Sequence, residues 1–301
     1  MKSEGAHRMV NFITNLINGL SLGSIYAIIA IGYTMVYGIA KMLNFAHGDV
    51  IMIGGYLSFM VITNWKLGVP LGIIAAVVGC MLLGMAVERI AYRPLRKAAS
   101  PLAILITAIG VSYFLQNFAL LVFGSNPMIY TSVVPFNAVD IGPFRIPGTT
   151  LVSIASSIVL VSLLQLFINR TKRGQAMLAC AQDRDAAALM GISINKTITL
   201  TFAIGSAMAG IAGVLLCSAY PSLSPYTGAM PGIKAFVAAV FGGIGSIPGA
   251  MIGGLVLGVI EILSRTYISS QLADAIVFGV LIVVLLVKPT GLMGKQIQEK
   301  V

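Results

Sequence analysis

Asn44, His47 and Asp49 fall within six residues of one another, in KMLNFAHGDV. An amide, an imidazole and a carboxylate so close together can line the route of a polar solute or serve an ion-coupled carrier. Lys234 stands alone in PGIKAFVAAVFGG. Glu261 and Arg265 are four apart, Glu first, the order in which two side chains on one helix face pair best. Glu88 and Arg89 close another apolar run, at the position of an interfacial structural pair. A further charged group, Asp183, Arg184 and Asp185, sits in AQDRDAAALMGI, residues 181–192.

None of these groups forms a catalytic set. GLMGKQ at 291–296 lacks the spacing and the Ser/Thr of a phosphate-binding loop, and HExxH and GxSxG are absent. The only histidines are His7 and His47, which argues against a histidine metal site. Cys80, Cys180 and Cys217 have no metal-ligand or CxxC spacing and read as small buried apolar residues. The chain reads as a non-enzyme without a cofactor of its own. Any pumping must draw its energy from an ion gradient or from a partner.

The surroundings of these polar residues explain why they matter. Of 301 residues, 58% are hydrophobic and 9% charged, against about 25% charged in a soluble domain. The mean hydropathy of +0.97 marks more apolar surface than one soluble core can hide. Runs near the roughly 20 residues that a spanning helix needs occur at 12–38, 68–88, 101–123, 150–169, 199–219, 247–264 and 272–288. Two shorter, glycine-broken runs lie at 49–64 and 230–245. The fold class is all-α and polytopic, with residues 1–10 as a polar extension and 11–301 as one transmembrane domain. No cleavable signal peptide is evident, since the first apolar run is too long. Met9 is a possible alternative start.

The net charge of +10 does not point to nucleic acid, because the basic residues sit in short loops beside spans, where they set orientation. Arg89, Arg93, Arg96 and Lys97 mark one such loop; Arg170, Lys172, Arg173, Arg184 and Lys196 mark another; Lys288, Lys295 and Lys300 mark the tail. These should face the cytoplasm, and the segment 124–150, with only Asp140 and Arg145, should face outside. Lys2 and Arg8 favour an inside N-terminus. Parity then demands that 39–64 be broken or re-entrant, giving about eight spans plus one broken segment. Nine spans with an outside N-terminus is the alternative.

Two features bear on transport. Gly19/Gly23, Gly245/Gly249/Gly253 and Gly254/Gly258 recur every four residues, a spacing for close helix packing; packing inside one subunit is favoured over a pathway or subunit interface. GGIGSIPGAMIGG, residues 242–254, should break rather than form one helix, since Gly costs about 1 kcal/mol and Pro about 3 kcal/mol against Ala. Gly242, Gly243 and Gly245 thereby join Asn44, His47, Asp49 and Lys234 as candidates for the translocation pathway. Burial within the fold is the competing reading for the first three of the polar four, and a snorkelling side chain for Lys234.

The stretch 181–192 reads as a short helix between two spans on the cytoplasmic surface, ended by Gly191, within the loop 170–198. Asp185-Ala186-Ala187, three residues and Gly191 resemble the "EAA…G" loop of bacterial ABC importer permeases, with Asp for the usual Glu and without the downstream Ile-x-Leu-Pro. NGLSLGSIYAIIAIGYTMVYGIAKMLNFAHGDV (18–50), AQDRDAAALMGI and KAFVAAVFGGIGSIPGAMIGG (234–254) are similar to LivH-type permeases of high-affinity branched-chain amino acid ABC transporters. The likeness runs from about Asn11 to Gly294.

That resemblance implies an ABC importer permease of the bacterial inner membrane. It implies that Asp183, Arg184, Asp185, Ala186, Ala187 and Gly191 form a coupling helix docking on an ATPase. It implies two ABC ATPase subunits carrying ATP-Mg, a second related permease, a periplasmic substrate-binding protein, and import of Leu, Ile or Val. Urea and short amides are the alternative cargo. An ion-coupled secondary transporter, with Asp49 as its acid, is the rival class.

Overall fold

The computed structural model describes residues 2–97, 101–136, 138–142 and 144–294. Lys295 and Lys300 of the expected basic tail lie outside them. Eleven α-helices organise the described chain: α1 (Lys2–Ala40), α2 (His47–Phe59), α3 (Val69–Val87), α4 (Pro101–Phe123), α5 (Gly148–Arg170), α6 (Lys172–Gln182), α7 (Arg184–Leu189), α8 (Ile194–Ala219), α9 (Ala229–Gly242), α10 (Ile247–Tyr267) and α11 (Ala273–Val287). Short π-helical turns extend α2 over Met60–Asn64 and α3 over Glu88–Tyr92. Six helices are long and apolar enough to cross a membrane, and α9 and α11 are shorter apolar helices. With α2, these make nine apolar helices among the described residues, one for each of the nine apolar runs in the sequence.

The most apolar window of α1 is 89% buried inside the chain and that of α8 78%, against 17% for α4 and 22% for α3. The first two form the core, and the other two turn large apolar side chains such as Ile74, Leu82, Ile106 and Phe114 outward. A lipid-facing helix need not hide such residues.

Small residues let α1 and α10 approach. A methyl group added at Gly23 would meet the Leu255 Cα at 2.8 Å, and one at Gly19 the Val259 Cα at 2.8 Å. Gly254 lies against Ala27 and Gly258 against Gly23. The four-residue glycine spacing therefore serves packing within this chain. Gly249 and Gly253 turn instead to α9, where they meet Gly242 and Ala238.

The chain's direction differs from expectation at one end. Arg184, in the basic loop, reaches the carbonyls of Ile39 and Ala40 at the end of α1. Hence α1 ends on the side of the basic loops, and its N-terminal end points the other way. α2 crosses the bundle beside α8 and α3: Gly54 packs on Gly210, Gly213 on Ile51, and Cys80 Sγ donates to the Val50 carbonyl at 3.3 Å. The nine-crossing arrangement with an outside N-terminus is the one this packing fits. Lys2 and Arg8 misled because two charges are a weak orientation signal beside the larger basic loops.

On the far side, the segment between α4 and α5 carries short strands. Two short antiparallel pairs form there. β1 (Met128–Ile129) pairs with β4 (Ser222–Leu223), and β2 (Ala138–Ile141) with β3 (Phe144–Pro147). The first pair fastens the end of α4 to the end of α8. Tyr130, just after β1, shares a 2.8 Å hydrogen bond with Ser58, and burial pushes its hydroxyl up to about 12.

Candidate functional site

The three polar residues at the α1–α2 break do not converge. Asn44 lies in the irregular segment 41–46 and accepts a 2.9 Å hydrogen bond from the Tyr92 hydroxyl at the end of the α3 extension. His47 opens α2, with its ring set edge-on against Tyr33 at 4.6 Å. Its Nε2 faces Gly32, where an added methyl would stand 2.6 Å away, and has no hydrogen-bond partner. Asp49 accepts from Gln116 of α4 at 2.8 Å. All three are buried. Each touches a different neighbour: the α3 extension, α1 and α4 in turn.

The N-terminal ends of α2 and α9 meet inside the bundle. Gly48 lies against Gly228 and Gly232, and a methyl at Gly232 would touch the Gly48 Cα at 2.7 Å. Two interrupted helices facing one another is an arrangement that transporters use to build central sites. Phe236 of α9 packs on both Tyr33 and Phe45.

The break at 243–246 has a different structure from a bare interruption. Gly243 ends α9 with φ +104°, and Ser246 caps α10, accepting from the Gly249 amide at 3.2 Å, with Pro248 in the first turn. The carbonyls of Phe241 and Gly242 are taken by the amides of Leu292 and Met293, each at 2.9 Å. Gly242 packs on Gly249, and Gly243 on Gly294. Gly245 alone of the three has open space before it. It lines a cleft of about 410 Å³ on the basic-loop side, together with Lys41, Gln165, Asn169 and Met177.

Lys234 is neither snorkelling nor solitary. Its Nζ sits 2.7 Å from Glu261 and 2.6 Å from Asp274. Glu261, fully buried, also pairs with Arg265, as the four-residue spacing predicts, and accepts a 2.9 Å hydrogen bond from Tyr26. An ionised side chain in a membrane domain costs at least about 2.5–3.5 kcal/mol on insertion scales, so this network offsets a large desolvation cost. Lys234, Glu261 and Arg265 line a cavity of about 200 Å³ between α1, α8, α9 and α10.

A second buried carboxylate closes the basic-loop end. Glu88 is fully buried and pairs with Arg93 at 3.0 Å, with Arg96, and with the Thr199 hydroxyl of α8 at 2.7 Å. Arg96 also donates to Asn195 at 2.9 Å. Burial holds the Arg96 guanidinium below its ordinary range, and the adjacent Glu88 charge opposes that shift. The adjacency of Glu88 and Arg89 reads as an interfacial structural pair; Arg89 is instead exposed, and the partners of Glu88 stand five, eight and 111 residues further along the chain.

The loop between α5 and α8 holds two helices where one was expected. Thr171 caps α6, accepting from the Gly174 amide at 3.0 Å. At Asp183 the backbone is extended, and its carboxylate accepts from the amides of Asp185 and Ala186, both at 2.9 Å. An Asp that caps in this way starts a helix, so 181–192 breaks at Asp183. Gly191, at φ +82°, ends α7. The amides of Gly191 and Ile192 return to the carbonyls of Ala188 and Ala187, both at 3.0 Å; these two bonds make a Schellman C-terminus.

Ala187 is buried and seats the helix, and Arg184 holds α1, as described above. Asp185 is exposed. At the tip, Leu189 is 90% exposed and Met190 82%. Composition hid these two, because one Leu-Met pair is ordinary in so apolar a chain.

A family model described as "Branched-chain amino acid transport system / permease component" matches residues 15–286. The chain is 47% identical to the high-affinity branched-chain amino acid transport system permease protein LivH of Salmonella typhimurium (strain LT2), over 98% of this chain and 100% of that one. It is 45% identical to the permease protein BraD of Pseudomonas aeruginosa, over 97% and 98%. A probable LivH of Methanocaldococcus jannaschii is 28% identical, over 90% and 89%.

Proposed function

Since this chain belongs to the permease components of branched-chain amino acid transport systems, we propose that it carries Leu, Ile or Val across the inner membrane as one half of the permease of an ABC importer. It is a multi-pass membrane protein and a transport component, not a catalytic enzyme. The single observation that carries the cargo is the 47% identity to LivH over nearly both whole chains. That likeness favours branched-chain amino acids over urea or amides, and an ATP-driven importer over an ion-coupled carrier.

In this reading the partners are two ABC ATPase subunits, a second related permease and a periplasmic binding protein. ATP-Mg belongs to the ATPase subunits, whose closure moves α7. Arg184 passes the motion to the end of α1, the helix around which the fold is packed. The permease pair then tips from inward-open to outward-open, and the binding protein releases its amino acid. Hydrolysis resets the pair. ATP must bind the two states unequally for such a cycle to run. A rigid α7 with fixed ends transmits displacement better than a loose loop.

The exposed Leu189 and Met190 are the docking tip in this scheme. Replacing both with Ser removes most of the apolar area offered to an ATPase groove, about 1.5–3 kcal/mol per side chain when fully buried. The double variant should lose copurifying ATPase subunits and most leucine uptake. Arg184→Gln should keep the ATPase subunits and lower uptake, since it cuts the link to α1 and leaves the tip. ATPase attachment unchanged in the double variant would overturn this docking surface. For the energy source, arsenate should abolish labelled-leucine uptake and a protonophore should spare it. The reverse pattern would overturn the ATP-driven reading.

A further inference from the structure

We propose that the cavity between α1, α8, α9 and α10 is an amino acid station inside the permease, binding the α-carboxylate and α-ammonium groups of the cargo. The inference rests on the branched-chain reading above and deepens it. Lys234, Glu261 and Arg265 line one cavity of about 200 Å³. Drug-sized ligands occupy pockets of roughly 300–1,000 Å³, so the space suits a smaller molecule. The remaining walls are Leu22, Leu216, Met230 and Pro231, with Tyr26, Tyr220 and Thr227. Charges of both signs beside an aliphatic wall match a zwitterion that bears an aliphatic side chain.

The mouth faces the side where such a molecule arrives. Arg265 lies in the last turn of α10, and Tyr220 follows the end of α8. Both helices end away from the basic loops. Tyr220 and Met230 are each 43% exposed, whereas Lys234 is 3% exposed and Glu261 is fully buried. The station is therefore deepest at Lys234 and Glu261 and open at Arg265, whose side chain is 39% exposed.

The network contains a replaceable member. Glu261 has three partners: Lys234, Arg265 and the Tyr26 hydroxyl. Lys234 has a second carboxylate in Asp274, 2.6 Å away. An entering ammonium takes the place of the Arg265 guanidinium on Glu261. The freed Arg265, together with Lys234, receives the carboxylate. Each buried charge keeps an opposite charge throughout, which is the condition for charges to remain in such a place. The exchange also supplies a route out, because re-forming the Glu261–Arg265 pair expels the ammonium.

The test is equilibrium binding of labelled leucine to the complete permease–ATPase complex in nanodiscs, without the soluble binding protein. Wild type should bind leucine saturably. Arg265→Gln should weaken binding about tenfold or more, the loss of one charged contact, and Arg265→Lys should recover much of it. Met230→Trp, which fills the cavity and leaves every charge, should do the same damage. Leucinol, without the carboxylate, and 4-methylpentanoate, without the ammonium, should fail to compete.

Wild-type binding that both variants retain would overturn the station, as would competition by either analogue or no saturable binding at all. Leucine uptake by the same wild-type complex in the presence of the binding protein separates the two levels. Uptake without binding at this cavity sinks the station alone. No uptake of any branched-chain amino acid sinks the reading beneath it as well.

Discussion

Glu88→Ala should destabilise the protein by about 3–5 kcal/mol, the usual loss when one partner of a buried ion pair is removed. Glu88 is fully buried and answers two arginines and the Thr199 hydroxyl. Without it, Arg96, whose side chain is 11% exposed, keeps Asn195 alone as a side-chain partner among the described residues. The α3 extension and α8 lose one of the contacts that join them at the basic-loop end, while the Arg93–Thr199 hydrogen bond and the Tyr92–Phe202 ring contact remain. Thermal unfolding in detergent, followed by tryptophan-free probes such as circular dichroism or a thiol dye on the three buried cysteines, would read the change. Glu88→Gln should lose less, because an amide oxygen still accepts from Thr199. An unchanged midpoint in Glu88→Ala would mean that the arginines reach water at no cost.

Gly23→Val should be nearly as damaging, for a steric rather than an electrostatic reason. Its Cβ would stand 2.7 Å from the Leu255 carbonyl oxygen and 2.8 Å from the Leu255 Cα, both backbone atoms. Backbone cannot swing aside, so α1 and α10 must separate. Overpacking a close contact costs about 1–3 kcal/mol and occasionally more, and here it falls in the buried stretch of α1. Gly110→Ala and Gly279→Ala are the controls, since neither position has an atom within 4 Å of an added methyl. These should be neutral or gain up to about 1 kcal/mol of helix propensity. The yield of folded, monodisperse protein from membranes distinguishes the three. Equal yields would show that the α1–α10 contact tolerates a wider spacing.

Much of the architecture was legible because the membrane imposes a length on every crossing. The expected run 199–219 lies within α8, and 247–264 within α10, because apolar length and polar ends mark both. Gly191 was legible as a helix end, since a positive φ is a local demand that one residue type satisfies best. The glycine spacing foretold packing because small residues four apart line one helix face and let backbones approach.

What the sequence concealed depends on partners far away in the chain. Lys234 and Glu261 are joined across 27 residues, and Glu88 and Thr199 across 111. No helical periodicity connects such pairs. The break at Asp183 was hidden because Ala-rich flanks favour helix on both sides, while the carboxylate's two amide bonds decide the boundary. The direction of α1 was hidden because parity is a global property, and one segment misjudged as re-entrant reverses everything before it.

The capping of α9 by the segment after α11 has a consequence for how the protein is made. The amides that complete the last turn of α9 belong to Leu292 and Met293, about fifty residues after Phe241 and Gly242. During synthesis α9 enters the bilayer first, with two carbonyls still lacking those donors. Carbonyls left unsatisfied in hydrocarbon are costly, so the nascent helix must keep that end at water or against the insertion machinery until α10 and α11 have emerged. The final stitch of the bundle is then placed by nearly the last part of the described chain to leave the ribosome, and the break at 243–246 acquires its fixed shape only at that moment.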